Sequence, residues 1–483
     1  MFQGFTVIDA DSHKCENPPV FFDFIERPYR ARISILRDRY GEQRFQIRDA
    51  DPVTGKPEFD RTFLQIEGYG KGTYRPYHAE TTLGGLFNRI RLEHMEREGI
   101  DHQVIYGSVP LAFNALIDRE LAVALCRAYN DYIDADTRAH SDRLHPIAVL
   151  PIQDPTAAVE EMRRCVEELG MVGVTMAPHV PAPHPDAPEA FPKLRVPKAL
   201  SHPDFAPILA EAERLDVAIG LHGAPGMQLA GGSSDQLDSF TLVHVFANRS
   251  MQQMALAKLI FDGTLEAFPK LRFGFLEAGV GWLPDLMHSL HEHWEKRILH
   301  FDPSVEPSIK DFVREFARER DCAGELGLWR KVRQVRNVLS RERDDRASRD
   351  EIEAFRNEHP RLPRDPTEYL ARGQIFASLE PDDPAPLYLE RALGPAARQI
   401  PCFAVDYGHW DATLENCVAL VAERPGIDAD LARRLLSQNA LDLYGPRLAA
   451  RIGEHPIPRP ERRSRYVRTN PEDIQPLPRP QQL

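Results

Sequence analysis

The chain of 483 residues contains no Cys-x-x-Cys pair. Cys15, Cys126, Cys165, Cys322, Cys402 and Cys417 are scattered, which excludes a zinc knuckle and a disulfide framework and fits reduced thiols in a cytoplasm. No apolar run approaches the length of a membrane helix, and no basic segment followed by an apolar stretch opens the chain, so a soluble, unprocessed protein with no membrane partner is expected. Positive charge is in deficit: 60 Lys and Arg against 73 Asp and Glu leave a formal charge of −13, which argues against a nucleic-acid surface and for small-molecule partners. A glycine-rich phosphate turn is also missing after the first apolar run. The turn there is Asp11-Ser12-His13, which counts against an open doubly wound sheet.

What is present is a regular alternation. Apolar strand candidates occur at Phe5 to Ala10, Gln103 to Tyr106, Pro146 to Leu150, Val172 to Met176, Val217 to Leu221, Arg272 to Leu276, Ile375 to Leu379 and Pro401 to Val405. Helical apolar spacing lies between most of them, as at Leu121 to Thr137, Ala157 to Leu169, Phe205 to Arg214 and Met251 to Phe268. Strands alternating with helices imply a parallel sheet, and continuously apolar strands imply one covered on both faces. The expected fold is an α/β (β/α)8 TIM barrel occupying residues 1–453. Two insertions interrupt it: an irregular or hairpin excursion after strand 1, at 32–76 near the mouth, and a charged helical insertion between strands 6 and 7, at 301–366. The Pro- and Arg-rich tail at 454–483 has too little apolar content to pack and is expected to be disordered or to wrap a neighbouring subunit.

Several strand candidates end on a group that binds metals or carries protons. Asp11 and His13 stand two apart after the first, so an extended backbone sends both side chains to one face. Imidazole with carboxylate and no thiolate suits zinc, manganese or iron, although an Asp and a His capping a turn would read the same. Glu16 reaches back as a further metal ligand or as an acceptor fixing an imidazole. His222 follows Val217 to Leu221 in Gly-Leu-His-Gly-Ala-Pro-Gly. Glu277 follows Arg272 to Leu276; an ionised carboxylate there requires a cation or strong donors, and it is assigned as a ligand or an acid/base, the alternative being a salt-bridged structural residue. Asp406, ending the last strand, can bind the metal and carry the proton. His244 is assigned to catalysis and His179 and His409 to substrate; each reads equally as a structural histidine.

Taken together, Val-Ile-Asp-Ala-Asp-Ser-His at 7 to 13, Arg-Ala-Tyr-Asn-Asp-Tyr at 127 to 132, Val-Leu-Pro-Ile-Gln-Asp-Pro at 149 to 155, Leu-His-Gly at 221 to 223, Phe-Pro-Lys-Leu-Arg-Phe at 268 to 273 and Asp-Tyr-Gly-His-Trp-Asp at 406 to 411 resemble the amidohydrolase-related family. That branch of the amidohydrolase superfamily includes aminocarboxymuconate semialdehyde decarboxylase and the γ-resorcylate and 5-carboxyvanillate decarboxylases. The resemblance implies a barrel in which Asp11, His13, His222 and Asp406 hold one divalent metal, and a homodimer. The chain departs from the pattern in having Asp11 where many relatives have His, and Glu277 followed by Ala278 and Gly279 where the decarboxylases place His followed by Gly.

The activity so implied is metal-dependent hydrolysis or non-oxidative decarboxylation of a small carboxylated compound, cyclic or aromatic, with Asp406 as proton carrier and Glu277 assisting. The alternative is a non-heme diiron oxygenase on the same barrel, with Glu16 and Glu277 as extra carboxylate ligands.

Overall fold

The computed structural model describes residues 4–16, 18–37, 43–64, 80–184, 195–223, 240–296, 362–409 and 414–454, together with the single positions 190, 311, 314, 333 and 412. The chain divides into two compact units, Met1–Leu286 with Glu368–Leu483, and Met287–Thr367.

The strands in chain order are β1 (Ile8–Lys14), β2 (Ile33–Arg37), β3 (Gln43–Asp49), β4 (Phe59–Leu64), β5 (His102–Gly107), β6 (Leu144–Pro146), β7 (Ala148–Val149), β8 (Gly173–Met176), β9 (His179–Pro183), β10 (Arg195–Ala199), β11 (Ala218–Leu221), β12 (Phe273–Phe275), β13 (Ile375–Leu379) and β14 (Pro401–Phe403). Parallel pairing runs β1–β5–β6 in one sheet and β7–β8–β11–β12–β13–β14 in another. The two sheets meet at Ile147, between β6 and β7, whose N–H donates to Ile105 O at 3.0 Å. Beyond β14 the chain reaches β1: Val405 N–H donates to Asp9 Oδ1 at 3.1 Å, Asp406 N–H donates to Asp11 O at 3.1 Å, and Ser12 and Tyr407 form a parallel bridge. The architecture is therefore α/β with parallel strands, as the alternation predicts.

Helices between the strands start where the sequence supplies caps. Asp118 accepts from Leu121 N–H to open Arg119–Thr137, and Asp154 accepts from Thr156 and Ala157 N–H to open Pro155–Arg163, with Pro155 at the first position. The expected helix Met251 to Phe268 is longer and broken. It runs Phe240–Phe261, stops, and resumes as Thr264–Ala267 after Gly263, whose φ of +73° only glycine adopts without strain.

The excursion after the first strand is more regular than expected. Its described part is an antiparallel meander, β2–β3–β4. A second antiparallel pair, β9–β10, is unforeseen, because Pro181, Pro183 and Pro197 read as strand breakers. Of the expected insertion at 301–366, only positions 311, 314, 333 and 362–366 lie within the described residues, and the tail beyond 454 lies outside them. No helix among the described residues is long and apolar enough to cross a membrane.

Strand residues Ile8, Ala10, Val104, Tyr106, Ala218, Phe376 and Cys402, with Ile147 between β6 and β7, pack with Ala440, Leu443, Tyr444 and Leu448 of the helix Asn439–Glu454 into one buried core. Two phenols are satisfied inside it: Tyr444 Oη donates to Ala10 O at 2.6 Å and lies 2.7 Å from Tyr106 Oη. The backbone of β1 is thus pinned immediately before Asp11.

Candidate metal centre

The candidate ligands lie at or near the C-terminal ends of strands. β1 extends through His13 rather than ending at Ala10, and Asp11 and His13 remain on one face although the register shifts between Asp9 and Ser12. His222 follows β11 directly, Glu277 comes two residues after β12, and Asp406 comes three after β14. Glu277 and Asp406 both have φ of +55°. A carboxylate residue held in the left-handed region stores strain of about 1–3 kcal/mol, and such strain gathers at functional sites.

These turns bring distant residues together. His13 Nε2 lies 2.9 Å from His222 Nε2, 3.5 Å from Asp11 Oδ1 and 3.3 Å from Asp406 Oδ1. His222 Nε2 is 3.8 Å from Asp11 Oδ1. His222 Nδ1 is 2.9 Å from Gly223 O, so Nδ1 carries the proton and the Nε2 lone pair faces inward. Asp11 Oδ1 and Asp406 Oδ1 are buried without a hydrogen-bond partner. Lone pairs converging in a buried space, with two carboxylate oxygens unsatisfied, are the donor set of a divalent cation.

The remaining predicted residues divide. His409 joins the cluster: its ring stacks on His13 at a centroid distance of 4.0 Å, and its Nδ1 lies 2.7 Å from Asp406 Oδ2 and 3.5 Å from Glu277 Oε1. Glu277 also approaches His222 Nδ1, at 3.6 Å. Glu16 is placed elsewhere, accepting from Ser108 N–H at 2.9 Å and Val109 N–H at 3.1 Å, where it caps the 3-10 helix Val109–Ala115. His179 opens β9, buried, with Nε2 unpartnered, and is not among the grouped ligands. His244 falls on the helix Phe240–Phe261, and its side chain lies outside the described residues.

Burial dominates the electrostatics. It pushes Asp11 up to about 6, with Glu277 adding to the rise and His222 opposing it. Burial, then the charges of Glu277 and Asp11 against the opposition of His409, holds Asp406 well above the usual carboxylate range. His13 is held well below the usual imidazole range by burial and by His409 and His222. At His409 burial acts the other way and is outweighed by Asp406 and Glu277, so this ring holds its proton strongly. At Glu277 burial is outweighed by His222, His409 and His13, which hold this carboxylate well below its usual range, whereas Asp11 and Asp406 are short of positive charge, which a bound cation would supply.

Supporting residues escaped sequence reading. Arg91, fully buried, donates to Ser12 Oγ at 2.7 Å, to Gln103 Oε1 at 2.9 Å and to the carbonyl of His13, and its guanidinium lies 4.6 Å from the Tyr407 ring centroid. It holds the His13 carbonyl of one segment that carries candidate ligands and packs on the Tyr407 side chain of the other. Asp9 accepts from Gln103 Nε2 at 3.0 Å as well as from Val405.

Residues 107–328 match the family model described as Amidohydrolase. The chain is 35% identical to the γ-resorcylate decarboxylase of Rhodococcus jostii over 28% of its own length and 38% of that protein. It is 25% identical to the 2-amino-3-carboxymuconate-6-semialdehyde decarboxylase of Dictyostelium discoideum over 44% of its own length and 57% of that protein. Residues 107–328 thus carry the likeness to the amidohydrolase superfamily. The chain spans well under two thirds of the length of these curated relatives. Among solved structures it resembles a dihydroxybenzoic acid decarboxylase from Polaromonas, crystallised with manganese and the inhibitor 2-nitroresorcinol, at a TM-score of 0.51 and 16% identity, covering 91% of this chain and 96% of that one. At that identity the likeness speaks for the fold alone.

Proposed function

We propose that this chain is a divalent-metal-dependent, non-oxidative decarboxylase of a small aromatic or cyclic carboxylate, working at the C-terminal mouth of a closed (β/α)8 barrel. Closure is supported by the parallel pairings, which run from β1 round to β14 and are linked back to β1 by Asp406, Tyr407 and Asp9. The observation that carries the reading is the convergence of Asp11, His13, His222 and Asp406 with two carboxylate oxygens unsatisfied. The relatives named above are decarboxylases and favour carboxylate loss over hydrolysis, and neither they nor the geometry favours dioxygen activation.

Asp11, His13, His222 and Asp406 would hold the ion. Zinc, manganese and iron all accept imidazole with carboxylate, and the manganese of the Polaromonas structure favours manganese. Bound there, the ion supplies Lewis acidity toward a chelated carboxylate and its neighbouring oxygen. The protein contributes the cavity and the proton. Glu277 and Asp406 open onto a cavity of about 720 Å³ whose walls include Arg249, Trp282, Asp383 and Tyr388, a volume suited to a single-ring substrate. The proton shared by His409 Nδ1 and Asp406 Oδ2 is the one delivered to the ring carbon, which keeps the electron pair of the broken bond as carbon dioxide leaves. Glu277, beside both His409 and His222, stabilises the charged imidazole. The chain thus retains a proton-carrying imidazole at His409, although its sixth strand ends in Glu277 rather than His.

The test is to incubate manganese-loaded protein in D2O with 2,6-dihydroxybenzoate, 5-carboxyvanillate and related hydroxylated ring carboxylates, following carbon dioxide and product by NMR. At least one substrate should release carbon dioxide and carry deuterium at the vacated carbon. If every carboxylate stays intact while a cyclic amide or lactone is hydrolysed, the chain is a hydrolase and the proposal fails.

A further inference from the structure

The helix Phe240–Phe261 presents two amides four residues apart, and therefore on one face, to the ends of the strands that carry His222 and Glu277. Asn248 Nδ2 donates to Glu277 Oε2 at 2.8 Å. Gln252 Nε2 donates to Leu221 O at 2.6 Å and to Leu276 O at 3.1 Å, the carbonyls immediately before His222 and Glu277. Both side chains are buried, at 1% and 0% exposure, on a face otherwise made of Met251, Ala255, Leu256 and Leu259.

Gln252 supplies a donor to the buried Leu276 O, but folding asks neither for its second bond nor for Asn248. Leu221 O already accepts from Leu276 N–H at 3.1 Å, so the bond from Gln252 is a second one to a satisfied carbonyl. In making these bonds, Asn248 Oδ1 and Gln252 Oε1 are left buried without partners. Each such orphan costs about 1–3 kcal/mol; an apolar residue would avoid it at 248, whereas at 252 it would leave Leu276 O without its donor instead. The neighbouring backbone is also cleared for Asn248: a methyl group at Gly223 would overlap Asn248 Oδ1. A stability penalty accepted twice, at the two strand ends that hold His222 and Glu277, indicates a positional task.

We propose that Asn248 and Gln252 are positioning residues that orient Glu277 and the His222 and Glu277 backbones around the bound ion, with Gly223 providing the clearance Asn248 needs. This rests on the metal-centre reading above. It takes in a helix whose next residue, Arg249, lines the substrate cavity, so ligand orientation and cavity wall are set by one element.

The test compares Mn2+ binding by calorimetry with melting of the metal-free protein, for the full-length chain and for Asn248→Ala, Gln252→Leu and Gly223→Ala. Positioning groups around metal ligands typically change affinity about 10- to 100-fold, so all three variants should bind Mn2+ more weakly by that factor. The metal-free melting temperature of Gln252→Leu should fall only modestly, since the variant loses the donor to Leu276 O together with the orphaned Gln252 Oε1. Gly223→Ala should reproduce the loss without altering either amide. Affinity within twofold of the parent in Asn248→Ala and Gln252→Leu would overturn the proposal, as would losses that only track melting temperature. Failure of the parent itself to bind Mn2+ would instead sink the metal-centre reading, and this inference with it.

Discussion

His13 and His222 face each other Nε2 to Nε2 at 2.9 Å, inside a site where both rings are at most 1% exposed. With His222 Nδ1 donating to Gly223 O, the gap between the two Nε2 atoms is satisfied by a proton on one of them or by a cation. Divalent metal should therefore bind in exchange for protons, at one ion per chain, and stabilise the fold. At a hundredfold excess over Kd the gain is about 2.7 kcal/mol, seen as a rise in melting temperature that a chelator reverses. Unaltered melting with zinc, manganese and iron alike would refute the centre.

Replacing Asp406 by Asn leaves one carbonyl oxygen where the carboxylate had two, so ligating the ion and accepting from His409 Nδ1 can no longer both be met. The backbone there is held independently by the bond from Asp406 N–H to Asp11 O, so the fold should survive. Turnover should fall about 10²- to 10⁴-fold, the usual contribution of a positioned proton carrier. Circular dichroism and kcat measured on one preparation decide it, and full activity with the variant removes Asp406 from the chemistry.

The candidate ligands were readable because each ends or extends an apolar run, where a polar group is out of place. Asp11, His13, His222, Glu277 and Asp406 are brought together, and the strand and helix alternation that carries them is seen in the fold. Their supports were not readable. Arg91, Asn248 and Gln252 sit in helices, where an isolated polar residue looks like solvent-facing surface until the helix is docked. Asp9 and Gln103 lie within strands, and only the register of β1 against β5 shows that they meet. His409 carried no stronger sequence signal than His179 or His244. What sets it apart is the left-handed turn at Asp406, which brings the ring back toward its own strand end, and no residue pattern encodes that turn.

Glu16 separates two roles that sequence left open. As the cap on Ser108 and Val109 it is structural, and burial raises its carboxyl to about 7 despite those two donors. Gln at this position keeps one acceptor and turns an amide toward the other N–H. Stability should drop by about 1–3 kcal/mol, measured by urea unfolding, while metal content stays at the parent value. A fall in metal stoichiometry would restore Glu16 to the ligand set.

Acid sensitivity should come in part from a pair remote from the centre. His102 Nδ1 lies 3.1 Å from His145 Nε2 between β5 and β6, and burial, with Arg143 nearby, depresses His102 from 6.5 to about 3. The folded state refuses a proton that the unfolded chain accepts below its ordinary value. The contribution of His102 to stability is therefore fully present above pH 6.5 and is lost progressively as pH falls toward 3, at up to about 1.4 kcal/mol per pH unit. Other groups also titrate in that range, so the comparison must be made between variants. His102→Asn keeps a hydrogen-bonding group beside His145 and cannot be protonated. It should be somewhat less stable than the parent at pH 7 and lose less stability between pH 6.5 and 4, in unfolding free energies measured across that range. Parallel pH profiles for parent and variant would show that His102 is not the group resisting protonation.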